Sequence, residues 1–228
     1  MLSTRKIYMV AGLILLLTGC KLDLTADVNI GDLNSVALTQ KEGATASGTI
    51  KFEVGALAQC GNESQFFTSV LEKHFLDFKI LPCEQVGMET YFVAAIKIPI
   101  FFADMDWPAK TNSLVAIHAS PSNKIGGIDV ELTLNQARFR MINKAVESKY
   151  FQKFDFAKSK IAIRLKNDLV TYQDVLASDV FVDDVPVVGL KAFGLVPGKN
   201  LNLELSDVKR EYFSLFNRIS MFRLVLSI

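Results

Sequence analysis

Hydrophobic and polar residues alternate along much of this chain. Leu22, Leu24, Ala26, Val28 and Ile30 take turns with Lys21, Asp23, Thr25, Asp27 and Asn29. That period predicts a strand with one dry and one wet face. Ile50–Val54, Ile128–Leu134, Ile161–Leu165, Leu201–Leu205 and Phe222–Ile228 repeat the pattern. Phe78–Leu81 reads as a short strand that Pro82-Cys83 ends, and Leu114–His118 as another. Tyr91–Phe102 is apolar on both faces apart from Lys97, as a central strand is, and Pro99 places its end at an edge or a bulge. Val170–Val188 is β-rich and broken at Asp183-Asp184 and Pro186. Gly31–Ser47 is small and polar, which predicts a loop.

The period changes to that of a helix in three places. Asn62, with Gln65 three residues on, resembles a capping box ahead of the stripe Phe66, Phe67, Val70, Leu71 and Phe75. Asn135 caps a second helix with the stripe Arg138, Met141, Ile142, Ala145, Val146 and Lys149. Ser206 or Asp207 caps a third, whose stripe is Val208, Tyr212, Leu215, Phe216 and Ile219. The expected fold class is α+β: a mostly antiparallel sheet of about eight to ten strands with about three packed helices. Asn62 and Asn135 each begin the helix of a strand–helix–strand stretch, a hint of two similar halves.

The first twenty residues obey a different rule. Arg5 and Lys6 precede eleven uncharged residues, Ile7–Leu17, and small residues come next. Leu17-Thr18-Gly19-Cys20 resembles the lipobox of bacterial lipoproteins. The resemblance implies cleavage between Gly19 and Cys20 and acylation of Cys20, with palmitate among the acyl groups. The apolar run is shorter than the ~20 residues of a membrane span. Residues 1–19 are therefore expected to be a lipoprotein signal peptide, and 20–228 a single α+β envelope domain. Lys21 at the second mature position, where aspartate retains such lipoproteins in the inner membrane, implies an outer-membrane address facing the periplasm.

Composition narrows the function. Residues 20–228 carry 23 basic and 24 acidic side chains, a balance that argues against nucleic acid. All seventeen Phe lie in this part, enough for a large core. Of three cysteines, Cys20 is claimed by lipid. Cys60 and Cys83 form an even pair in an exported chain, which predicts a disulfide closing a loop of about 24 residues. Two buried thiols are the alternative; a metal pair is poorly served without nearby histidines.

No nucleophile elbow, phosphate loop, dinucleotide fingerprint or zinc helix is present, so no catalytic residue and no cofactor is expected. His74 and His118 have no partner legible in sequence. Asp104 and Asp106 beside Trp107, like Asp183-Asp184, could meet a cation, but a solvated turn explains each more simply. Tyr150–Lys160 mixes aromatic and basic residues and could rest on lipid headgroups or end a helix. The mature start Cys20–Val28, the Cys60 and Cys83 pair and Gly87-Met-Glu-Thr-Tyr91 resemble an uncharacterised family of Gram-negative lipoproteins, some carried by phages or plasmids. That resemblance implies an envelope location and no activity. The expectation is a non-enzymatic, lipid-anchored envelope protein acting through protein contacts. The alternative is a periplasmic binder of lipid or another apolar ligand.

Overall fold

The structure, a computed structural model, describes residues 21–40, 43–54, 57–103, 107–122, 126–151 and 153–225. In chain order the elements are β1 (Leu22–Asn29), α1 (Ile30–Thr39), β2 (Ala44–Val54), α2 (Leu57–Leu71), β3 (Leu76–Val86), β4 (Glu89–Phe102), α3 (Trp107–Lys110), β5 (Val115–Ser122), β6 (Gly127–Leu134), α4 (Gln136–Tyr150), β7 (Ile161–Lys166), β8 (Gln173–Val182), β9 (Val185–Leu195), β10 (Asn200–Leu205), α5 (Asp207–Phe216) and β11 (Arg218–Val225). The α+β class holds, with strands in the majority.

The architecture is more closed than an open sheet. Nine strands form a ring in the order β10, β7, β1, β2, β4, β5, β6, β11, β8, and β8 returns to β10. β3 and β9 are added outside it, on β4 and β8. The β1–β7 and β4–β5 pairs are parallel and the rest antiparallel. Seven antiparallel junctions are an odd number, so straight strands could not return to their starting direction. The long strands must turn on the way round, as corner strands do.

β4 and β8 carry the turns. β4 pairs with β3 up to Lys97 and with β5 from Ile100. Pro99 lies between the two partners, where its missing N–H costs that edge no ladder bond. β8 pairs with β11 through Leu176 and with β10 from Val180, while β9 runs along its other edge. The break falls at Asp179, a bulge residue with φ 54°.

Three sequence expectations are corrected. Gly31–Thr39 belongs to α1 and is not a loop. Asn29 makes no side-chain cap bond to it; the Gly31 N–H donates instead to the Asp168 carboxylate at 2.8 Å, 137 residues away. A Cβ on Gly31 would meet that carboxylate at 2.8 Å and push the Asp168 side chain aside. α2 begins at Leu57, so Asn62 lies inside it and does not cap it. Pro82-Cys83 does not end β3 but sits in a bulge between the Leu81 and Glu84 pairs. Among the described residues the count is eleven strands and five helices, one of a single turn.

One core runs through the molecule. Phe52, Phe67 and Phe92 are fully buried, with the Phe67 ring 5.4 Å from both others and Phe154 4.8 Å from Phe52. Burying such a side chain contributes roughly 1.5–3 kcal/mol. The disulfide joins this cluster to the outer strand. Cys60 of α2, fully buried, is bonded to Cys83 of β3, with Cα atoms 6.5 Å apart. His74 ties α2 to the second half of the barrel. Its carbonyl accepts from Leu114 N–H at 2.7 Å, and its Nδ1 faces the Arg138 guanidinium of α4 at 3.3 Å. Burial first, then Arg138 and Lys73, hold the His74 ring down at about 4.

Both ties can be measured. Cys83→Ser should lower unfolding stability by about 2–4 kcal/mol. Cys60→Ser should cost about the same, its hydroxyl able to use the Tyr91 carbonyl beside the sulfur. The double variant should lose no more than either, because one bond is lost in all three; additive losses in denaturant titrations would contradict the shared origin. For His74 the folded pKa lies below the ordinary 6.5, so the unfolded chain takes up the proton first as pH falls. The stability difference between wild type and His74→Gln should therefore shrink as pH falls from about 6.5 toward 4. A difference that stays constant over that window would remove the assignment.

Candidate functional site

Gly19 and Cys20 lie outside the described residues, as do Asp104 and Asp106. The chain directly after Cys20 is held firmly. The Lys21 ammonium pairs with Glu89 at 2.7 Å, and the Lys21 carbonyl accepts from Glu53 N–H at 3.1 Å. On the other side, Leu22 N–H donates to Ser159 Oγ at 3.3 Å and Leu24 N–H to the Lys160 carbonyl at 2.8 Å. Lys160 N–H returns a bond to the Asp23 carboxylate at 2.9 Å. Burial raises the Asp23 carboxyl pKa, and the Lys160 N–H and ammonium oppose the shift. β1 is therefore fixed between β2 and β7 from its first residue.

The register places other termini at this rim. Leu22 pairs with Phe52 and Val54 with Thr90, so the β3–β4 turn at Gly87-Met88 belongs to it. Leu24 pairs with Ile161, so the connection from α4 to β7 belongs to it too. That connection is the aromatic and basic stretch Tyr150–Lys160. Phe154 is buried, whereas Phe151, in the left-handed cap position of α4, is 87% exposed.

α5 crosses from β10 to β11. Ser206 caps it, accepting from Lys209 N–H, and Asn217 closes it with φ 63°. The expected buried stripe is inverted. Val208, Tyr212, Leu215 and Phe216 are exposed, and Ile219 belongs to β11. Phe213 is fully buried, and Lys209 and Arg210 are half-buried with it. Burial lowers the Lys209 pKa, and its ammonium donates to the Ser220 carbonyl at 2.8 Å. Arg210 reaches Glu204 at 3.6 Å. A shallow groove between Tyr212, Phe216 and β11 is floored by Ile219 and Ser220 and edged by the Arg218–Glu131 ion pair.

The remaining candidates do not assemble. His118 is buried on the outer side of β5, its ring 6.3 Å from Phe101 and 6.4 Å from Trp107. Burial and then Arg218 lower its pKa; Glu131 and the Phe102 and Ala103 carbonyls oppose that. Asp183 and Asp184 are the two residues of the β8–β9 turn, both at positive φ, as a type I′ turn requires. Asp183 also holds Asn202 N–H at 3.0 Å. Among the described residues, no group of three or more His, Cys, Asp or Glu side chains could hold a metal ion. No described helix is long and apolar enough to cross a membrane.

β9 is the other exposed feature. Among the described residues it pairs only with β8, so its outer edge has no strand partner. Val185, Val188 and Leu190 are exposed along it. Sequence alternation could not reveal this edge, because pairing partners are set by the whole topology.

No curated protein and no solved structure matches the chain. One family model matches residues 22–222, the whole span from the first strand into the last. The chain therefore belongs to the family described as a domain of unknown function (DUF7424).

Proposed function

We propose that this is a lipid-anchored cell-envelope protein, without enzymatic chemistry, that acts through protein contacts. The anchor reading rests on Leu17–Cys20 and the charged and apolar run before it. An outer-membrane address facing the periplasm is inferred from Lys21. The observation that carries the contact reading is the outer edge of β9. A strand with unpaired backbone groups and exposed Val188 and Leu190 can accept a partner strand, main chain to main chain. Pro186 and Lys191 lie on the same strand and restrict indiscriminate pairing. A binder of lipid or another apolar ligand is the second reading. Seven of the phenylalanines that suggested it, among them Phe52, Phe67 and Phe92, are buried in the main core, which weighs against a ligand there.

Radiolabelled palmitate should enter the wild type and not Cys20→Ser, which should accumulate as the unprocessed precursor. Label in the variant would remove the anchor. Lys21→Asp should shift the protein toward the inner membrane on fractionation. Lys21→Ala, which loses the same Glu89 pair without supplying aspartate, should not; a surface pair of this exposure is worth about 0–1 kcal/mol. If both variants move alike, the charge pair and not the sorting rule is responsible.

For the contact, a photo-crosslinking residue at Val188 should yield one recurrent envelope protein in cells. Leu190→Lys should abolish that product without changing thermal stability by more than about 0.5 kcal/mol, as exposed substitutions do. A protein recovered alone from crosslinked cells counts against the proposal.

A further inference from the structure

α5 is turned against the usual rule. An amphipathic helix on a soluble domain hides its apolar stripe and shows its polar one. Here Val208, Tyr212, Leu215 and Phe216 face out at 75%, 49%, 67% and 59% exposure. Lys209 and Arg210 share the half-buried side with Phe213 and have protein partners there. The Tyr212 and Phe216 rings lie 4.2 Å apart, so these two form one aromatic surface and not isolated side chains. An exposed patch of this kind marks a surface that something covers.

Its position says what covers it. α5 packs on Phe156–Lys158, directly before Ser159, whose hydroxyl takes the Leu22 N–H. Glu204, just before α5, accepts both Lys160 at 2.7 Å and Arg210 at 3.6 Å, which ties the first turn of the helix to the same rim. Only Lys21 lies between Cys20 and Leu22, two residue steps or roughly 7 Å at full extension. Phe151, on the connection that leads to Ser159, is exposed as well. An acyl chain on Cys20 would bring the bilayer to this rim, to which the start of α5 is tied.

We propose that the outer face of α5, together with Phe151, lies in the headgroup boundary of the bilayer that holds the acylated Cys20. Apolar side chains of such an interfacial helix enter to a depth of about 5–10 Å. The anchored end is then held by three features: the acyl chains, the α5 stripe and the α4–β7 connection. This rests on the lipid-anchor reading and deepens it by fixing which face meets the membrane.

The test uses the full, processed protein in vesicles of phosphatidylethanolamine and phosphatidylglycerol. An environment-sensitive fluorophore is attached to Leu215→Cys, Phe151→Cys or, as the control on β9, Val188→Cys. Emission should shift to the blue at 215 and 151, with quenching by spin-labelled phospholipids. The probe at 188 should stay aqueous. Acylation is read separately by intact mass. Acylated protein with aqueous probes at 215 and 151 overturns the surface and leaves the anchor standing; protein without acyl mass overturns both. Energy transfer between labelled copies without lipid quenching would assign α5 to a second copy and also overturn the proposal.

Discussion

The barrel depends on two strands that each serve two partners along one edge. β4 passes from β3 to β5, and β8 from β11 to β10. Without β8, β10 would keep only β7, and β11 only β6. Two edges would then expose backbone N–H and C=O groups that the closed ring satisfies. The chain marks both handovers chemically. Pro99 has no donor to waste in the gap on β4, and Asp179 accepts the left-handed conformation that the bulge on β8 needs. Asp is among the few non-glycine residues that adopt it at modest cost.

The closed ring also explains where the helices had to go. A barrel interior lined by Leu, Ile, Val and Phe leaves its ends open to water. α1 packs across β4 and β5 with Ile30, Leu33, Val36 and Ala37 inward. α2 covers the β3–β4 side, where Phe67 meets Phe52 and Phe92. α5 inserts only Phe213.

Much of this was legible in sequence, and the exceptions have physical causes. The strands around Leu22–Val28, Ile128–Leu134, Ile161–Leu165 and Leu201–Leu205 alternate because each keeps one face in the core, so period two survives in the chain. The pairing of Cys60 with Cys83 followed from the small number of cysteines and the expectation of export. α1 was not, because its start is satisfied by Asp168, far along the chain, and its apolar residues are diluted by Gly31, Asp32, Asn34 and Ser35. Asn62 resembled a cap because a capping box is a local pattern, while the helix already runs from Leu57 and carries Asn62 inside it. The α5 stripe shows a deeper limit. Periodicity reports that a helix has two faces; it does not report which one meets the protein.

The β9 edge and the α5 stripe offer different chemistry. β9 offers backbone groups, which pair with another main chain by hydrogen bonds of defined register. The α5 stripe offers aromatic and aliphatic side chains with no register, which suits a fluid surface better than a folded partner. Both are anchored to the same rigid barrel, and β1, gripped by Ser159, Lys160, Glu53 and Glu89 from its first residues, leaves little slack between that barrel and Cys20. An anchor on a long flexible tether would let a domain tumble and present every face in turn. Under the proposed acylation of Cys20, an anchor two positions before a pinned strand would couple the membrane to the barrel's orientation and present the stripe and the β9 edge in fixed relation to the bilayer. On that proposal the short tether orients the domain as well as attaching it.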